Sequence, residues 1–195
     1  MYENADDLME FLANSKNLAD YKGGSIVVDG YSHLMNVSLA EEITTEAYEA
    51  RDKDKKKVKS LAQKTKMTVE GQGVRNTLMF RITNALMKYA ADGFTVIITA
   101  LEDSKPKWDR SLAGAPSLAA KEFPTNMPGF FDLIGRLSPQ INDDGTLMVD
   151  SYGNPVYPPW VDFVSNGSFI AKFTGVGNAR SGILDIEKIL KANSK

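Results

Sequence analysis

Polar and apolar positions alternate along this chain in two kinds of block: helical stripes and short, continuous apolar runs. Near the start, Leu8, Phe11 and Leu12 fall at helical spacing behind Asn4 and Asp6 as candidate caps, which predicts a short amphipathic helix. The run "SIVVD" at 25–29 is β-branched and unbroken, so it reads as a strand buried on both faces of a parallel sheet, entered through the turn "KGG". From about Leu34 to Leu61 the chain is rich in Ala, Glu and Lys and free of Gly and Pro, so it reads as helix passing into a basic, solvated segment toward Met67. Val74, Leu78, Ile82, Leu86 and Tyr89 then mark a second amphipathic helix, closed by "ADG". "FTVIITALE" follows as another continuous apolar strand.

This alternation of helices with buried strands predicts an α/β fold: a mostly parallel sheet flanked by helices. Residues 102–128 are proline-rich and of mixed charge, and read as a long functional loop holding a short helix. Beyond it, "GFFDLIGRLSP" offers a third strand, and "DDG" and "GNP" mark turns around a short strand in a C-terminal β-hairpin region. "GSFIAKFT" reads as one more strand, and Ser181 to Leu190 as a closing helix. The whole reads as a single domain, which suits 195 residues of 43% hydrophobic content.

Composition narrows the chemistry. The formal charge is only -2, but residues 51–66 hold eight basic residues and two acids, so about +6 is set against about -8 in the remainder. The absence of cysteine excludes disulfides and thiolate sites, and a single histidine argues against a multi-histidine zinc centre or a conventional histidine-relay pair, while oxygen-ligated magnesium stays open. The acidic N-terminus does not resemble a secretory signal, and no stretch reaches 18 apolar residues. The expectation is a cytoplasmic protein that does not enter membranes.

Asp29 is the first candidate site residue. An acid at the carboxyl end of a buried parallel strand faces the crevice where ligands bind in open α/β sheets. In phosphate-loop NTPases such an acid holds magnesium while a glycine-rich loop cradles the phosphates; alternatively, it merely caps the next helix. No G-x-x-x-x-G-K-[ST] occurs, and the glycine-containing stretches "GQGVRNTL" (71–78) and "GVGNARSG" (175–182) lack its ending. His33 has no obvious local partner and reads as a structural or surface residue.

Two basic segments are candidate nucleic-acid contacts. Lys53, Lys55, Lys56, Lys57 and Lys59, in a basic insertion spanning 51–70, can meet successive phosphates but lack interleaved aromatics, and also read as a solvated face. Lys105, Lys107, Trp108 and Arg110 put three cations and one aromatic in a single loop, which either binds nucleic acid or packs onto the domain.

In succession, "SIVVDGYSHL", the helical and basic insertion, "VRNTLMFRITNALMKYAADGFTVIITALED", "GAPSLAAKEFPTNMPGFFDLIGRL" and "FIAKFTGVGNARSGIL" resemble phage RecA-like ATPases of the Sak single-strand-annealing type across roughly residues 20–185. The resemblance implies a RecA-like core with Asp29 in the Walker B strand as the magnesium-associated acid. It places Thr99 to Glu102 at the phosphate-sensing region, with Thr99 as the nucleotide contact and Glu102 as a catalytic position. Lys172 and Arg180 match the late basic pair near a subunit boundary, where such cations serve as catalytic fingers. The residue following "TA", often polar or histidine in the family, is here Leu101.

The family's first strand, Walker A loop and first helix would lie before residue 1. The resemblance therefore implies Mg2+ and ATP as cofactors only with a Walker A supplied elsewhere, and a chain that does not hydrolyse ATP alone. It further implies single-stranded DNA as partner, a homo-oligomer or a partner chain carrying the phosphate loop, and the host cytoplasm if the protein is phage-encoded. The alternative is a non-catalytic DNA-binding or assembly module with a degenerate nucleotide site. A third reading, a magnesium-dependent hydrolase, would need two or three carboxylates converging on Asp29.

Overall fold

The computed structural model describes residues 5–45, 67–165, 167–174, 181–185 and 187–189. The fold is mixed α/β with small sheets of few strands. The chain divides into two compact units, the first formed by residues 1–103 with 116–126 and the second by 104–115 with 127–195.

In the first unit, helix α1 (Ala5–Ala13) buries Leu12 and leads into a 3-10 turn (Ser15–Tyr21), whose first N–H groups are met by the Asn14 side chain, accepting from Lys16 N at 3.2 Å. Strand β1 (Ser25–Val28) follows, and then residues 31–45 are helical throughout (α2), opening with Tyr31–His33 and a π-helical turn at Leu34–Ser38. Helix α3 (Val69–Ala91) is capped by Thr68, whose hydroxyl accepts from Gly71 N, and it delivers the chain to β2 (Thr95–Ile98). The Tyr89 hydroxyl donates to Leu12 O at 2.9 Å, fastening α3 to α1.

β1 and β2 pair in parallel, Ser25 opposite Thr95 through Val28 opposite Ile98, as the two apolar runs predict. One expectation is corrected here. β1 is half-buried, with Ser25 and Val27 exposed (Val27 at 61%), because along this strand alternate side chains meet solvent instead of a second packed layer. The stripe on α3 also differs. Ile82, Leu86 and Tyr89 are buried, but Val74 is 48% exposed while Arg75, Asn76 and Met79 are buried. Three successive steps of four residues turn a helix about 120° off its starting face, so the repeat begins off the core at Val74 and winds onto it by Ile82 and Leu86.

The centre of this unit is Tyr31, Met35 and Leu39 of α2 against Met79, Ile82 and Leu86 of α3, all essentially inaccessible. Phe123, from the short helix α4 (Glu122–Asn126), completes it, its ring 5.1 Å from Phe80 edge-on and 6.2 Å from Tyr31. The short helix expected within 102–128 is therefore present.

Short strands β3 (Glu102–Asp103) and β4 (Ala115–Pro116) lie where the chain leaves and re-enters this unit. The named strands of the second unit pair antiparallel, beside one parallel bridge between Gly114 and Phe169. The single strand expected in "GFFDLIGRLSP" is two, β5 (Leu133–Ile134) and β6 (Arg136–Ser138), split at Gly135, where a Cβ would stand 2.7 Å from Val161 Cγ2 and 2.8 Å from Phe163 Cε1. β6 pairs with β7 (Trp160–Asp162), β5 with β8 (Lys172–Phe173), and β7 with β9 (Ser181–Ile183). Val161, Phe163 and Phe169 are its buried apolar centre, and Arg136 lies 5.0 Å over the Phe169 ring. The closing helix is corrected in part: residues 181–183 are strand β9, and helix is present at 187–189. The β-branched Ile183 and flexible Gly182 meet the edge of β7, a tertiary pairing that overrides local helical spacing.

Candidate functional site

β1 ends and Asp29 follows; β2 ends and Thr99 follows. Because the strands are parallel and in register at Val28 and Ile98, the two residues emerge side by side at the same carboxyl edge. Thr99 N donates to Val28 O at 3.0 Å, extending the ladder one step beyond the strands. The Thr99 hydroxyl then donates to Asp29 Oδ1 and accepts from Gly30 N at 2.9 Å. Its proton goes to the carboxylate because Gly30 N–H can only donate.

Gly30 makes this turn possible. It sits in the left-handed region at φ 82° and ψ 43°, where a side chain is strained, and this reverses the chain from strand into α2. Tyr31 N next donates to Thr99 O at 2.8 Å, and Ser32 Oγ, buried, accepts from Leu101 N at 3.0 Å. The segments 29–32 and 99–101 are thus laced by four cross-segment hydrogen bonds around one exposed carboxylate. Ser32 is a site residue that sequence reasoning missed; its signal was a small hydroxyl three positions after the strand-ending acid.

Below the edge, Asn36 holds the returning chain. Its Nδ2 donates to Ser117 O at 2.8 Å and its Oδ1 accepts from Ala119 N at 2.9 Å, a two-bond clamp from the π-helical turn. Ser117 N in turn donates to Leu101 O at 2.7 Å. The residues after β2 are therefore anchored from both sides.

Chemically, Asp29 offers a solvent-facing carboxylate with one oxygen engaged by a neutral hydroxyl, an arrangement able to hold a hydrated magnesium ion through water. Among the described residues no group of three or more His, Asp or Glu side chains is gathered to hold a metal ion directly. The converging carboxylates that a magnesium-dependent hydrolase would need are thus not assembled there.

The remaining candidates are distributed differently. Glu102 is exposed in β3, after the exposed Leu101. Lys172, in the second unit, is half-buried, and its Nζ donates to Pro128 O at 3.1 Å, which directs the ammonium onto its own unit's backbone. Lys105, Lys107 and Arg110 are exposed, Trp108 is half-buried, and Pro106 beside them is fully buried, so the loop is rooted by its proline and presents its cations outward. His33 is exposed on α2. Arg180 and the run Lys53, Lys55, Lys56, Lys57 and Lys59 lie outside the described residues.

Among the described residues no helix is long and apolar enough to cross a membrane. No protein-family model matches the chain, and neither the curated proteins nor the solved structures contain a match.

Proposed function

We propose that this chain is a portion of a phage-type RecA-like ATPase that acts in DNA recombination or single-strand annealing, and that it does not hydrolyse ATP alone. In this reading Asp29 is the magnesium-associated acid and Thr99 stands at the phosphate-sensing position. The observation that carries it is the joining of these two residues, 70 apart in sequence, by a hydrogen bond at the carboxyl edge of a parallel strand pair. Within the 195 residues no glycine-rich loop ends in Gly-Lys-Ser/Thr, so charge neutralisation at the nucleotide phosphates would come from another segment or a partner chain. Single-stranded DNA would be held by exposed cations, of which Lys105, Lys107 and Arg110 share one loop with Trp108.

A specific observation also favours a second reading, a DNA-binding or assembly module with a degenerate nucleotide site: Asp29 already accepts the Thr99 hydroxyl, and the exposed Leu101 follows where the family often carries a polar sensor. Titration with millimolar Mg2+, followed by backbone amide NMR, separates the two. The ATPase-derived reading expects shifts confined to Asp29, Gly30, Tyr31 and Thr99 that Asp29→Asn abolishes, since the amide keeps an acceptor for Thr99 but removes the charge. Shifts elsewhere, or none, would leave only the second reading. The first reading, and the second in its DNA-binding form, require single-stranded DNA binding that weakens with salt, the slope of log affinity against log salt falling by about 0.7 per neutralised cation. A chain that binds no single strand at low salt, or that alone turns over ATP in an Asp29-dependent way, would overturn the proposal.

A further inference from the structure

Residues 139–159 of the second unit form a small antiparallel meander between β6 and β7. Asn142 N donates to Thr146 O and Met148 N to Gln140 O across the first turn, and Asp150 N donates to Asn154 O and Val156 N to Met148 O across the second. These bonds flank two bridges, Ile141 opposite Leu147 and Val149 opposite Pro155, so each is a non-hydrogen-bonded pair, the kind whose side chains stand closest. Pro155, lacking an N–H, is suited to that position.

Opposed residues share a face, and so do Leu147 and Val149, two apart on one strand. Ile141, Leu147, Val149 and Pro155 therefore make one continuous apolar strip across three strands. It is exposed: Ile141 by 63%, Leu147 by 43% and Val149 by 47%. A contiguous apolar strip on a marginal sheet of this size marks an interaction surface more often than an ornament.

Asp143, Asp144 and Asp150 stand at the turns, and residues 139–159 contain no Lys, Arg or His. Hydrogen bonds from the Thr146 hydroxyl and N–H hold the Asp144 carboxyl below its ordinary range, and those from the N–H groups of Asn154 and Tyr152 do the same for Asp150, so both are ionised at neutral pH. A surface of this kind repels phosphates and suits a basic segment that also carries apolar side chains.

We propose that this strip is a docking surface for a second copy of the chain, occupied by that copy's basic run, residues 51–66. The run carries eight basic residues and two acids and includes Val58 and Leu61, so it matches both the sign and the apolar character of the strip. It lies outside the described residues, and its sequence alone supplies the match. Donor and acceptor surfaces come from different parts of the chain, so the contact is head-to-tail and can propagate from copy to copy. The inference goes beyond the nucleotide reading and stands on different residues.

The test is sedimentation of the full chain in the ultracentrifuge with two charge variants and a third, Leu147→Ser, each checked for wild-type circular dichroism. One carries Asp143→Asn, Asp144→Asn and Asp150→Asn, which keep acceptors for the turn N–H groups; the other carries Lys→Gln at 53, 55, 56, 57 and 59. The wild type should self-associate, more weakly as salt rises. Each variant alone should lose at least about tenfold in association constant, while a mixture of the two forms a 1:1 complex through the one intact contact. Leu147→Ser, which removes apolar surface without altering charge, should also weaken association. A wild type that is monomeric throughout, a variant that associates undiminished, or a mixture without the 1:1 complex would overturn the proposal.

Discussion

The hydroxyl of Tyr31 is held in a hydrogen-bond chain of fixed direction. Thr83 Oγ1 donates to Met79 O at 2.6 Å, which uses its only proton, so Tyr31 must donate to Thr83 Oγ1 across their 2.6 Å contact. Burial pushes the Tyr31 phenol up from its ordinary 10.0 to about 12. Above pH 10 the unfolded chain releases this proton while the folded chain retains it, so unfolding is favoured increasingly until the folded phenol also titrates near pH 12. Urea unfolding should show Tyr31→Phe less stable than wild type by about 1 kcal/mol at neutral pH. The gap should close or invert between pH 10 and 12, because the variant lacks that alkaline loss. Parallel curves for the two proteins across this range would exclude Tyr31 as the titrating group.

At the scale of elements, α3 contains two glycines with opposite surroundings. A Cβ on Gly73 would meet nothing within 4 Å, so Gly73→Ala should raise stability by about 0.5–1 kcal/mol through helix propensity alone. On Gly71 a Cβ would stand 2.7 Å from Met67 Sδ and 3.1 Å from Ile43 Cγ2, so the same substitution should gain nothing or destabilise. Thermal melts of the pair test whether α3 packs on α2 as closely as described; equal gains at both positions would contradict it. The helix itself was legible from its periodic apolar residues. Its buried face was not, because Arg75 and Asn76, polar by type, are carried inward by the helical phase that also buries Ile82 and Leu86.

At the scale of the molecule, the first unit is discontinuous in sequence, and Phe123 is its most deeply buried contribution from beyond residue 103. Phe123→Ala should cost about 3–5 kcal/mol. Hydrogen exchange should accelerate first at amides of α2, α3 and β2, while those of β6 and β7 hold their protection longer. Simultaneous, uniform loss of protection in both units would show one cooperative body in place of two. The long stretch 102–128 thus serves the fold as well as exposing Lys105, Lys107 and Arg110: one part of it returns to complete a core.

Sequence by itself determined that two β-branched runs would be strands, that a helix would precede the second, and that an acid would close the first. Those outcomes follow from local sterics and short-period burial, which nearby residues encode. Only the tertiary structure decided that β1 and β2, strands of the parallel kind their apolar runs predict, are direct neighbours in a register that brings Thr99 to Asp29, and that Asn36 and Ser32 fasten the segments around them. It also decided that residues 181–183 are a strand. These depend on pairings between segments up to 83 residues apart, whose hydrogen-bonding partners no local pattern names.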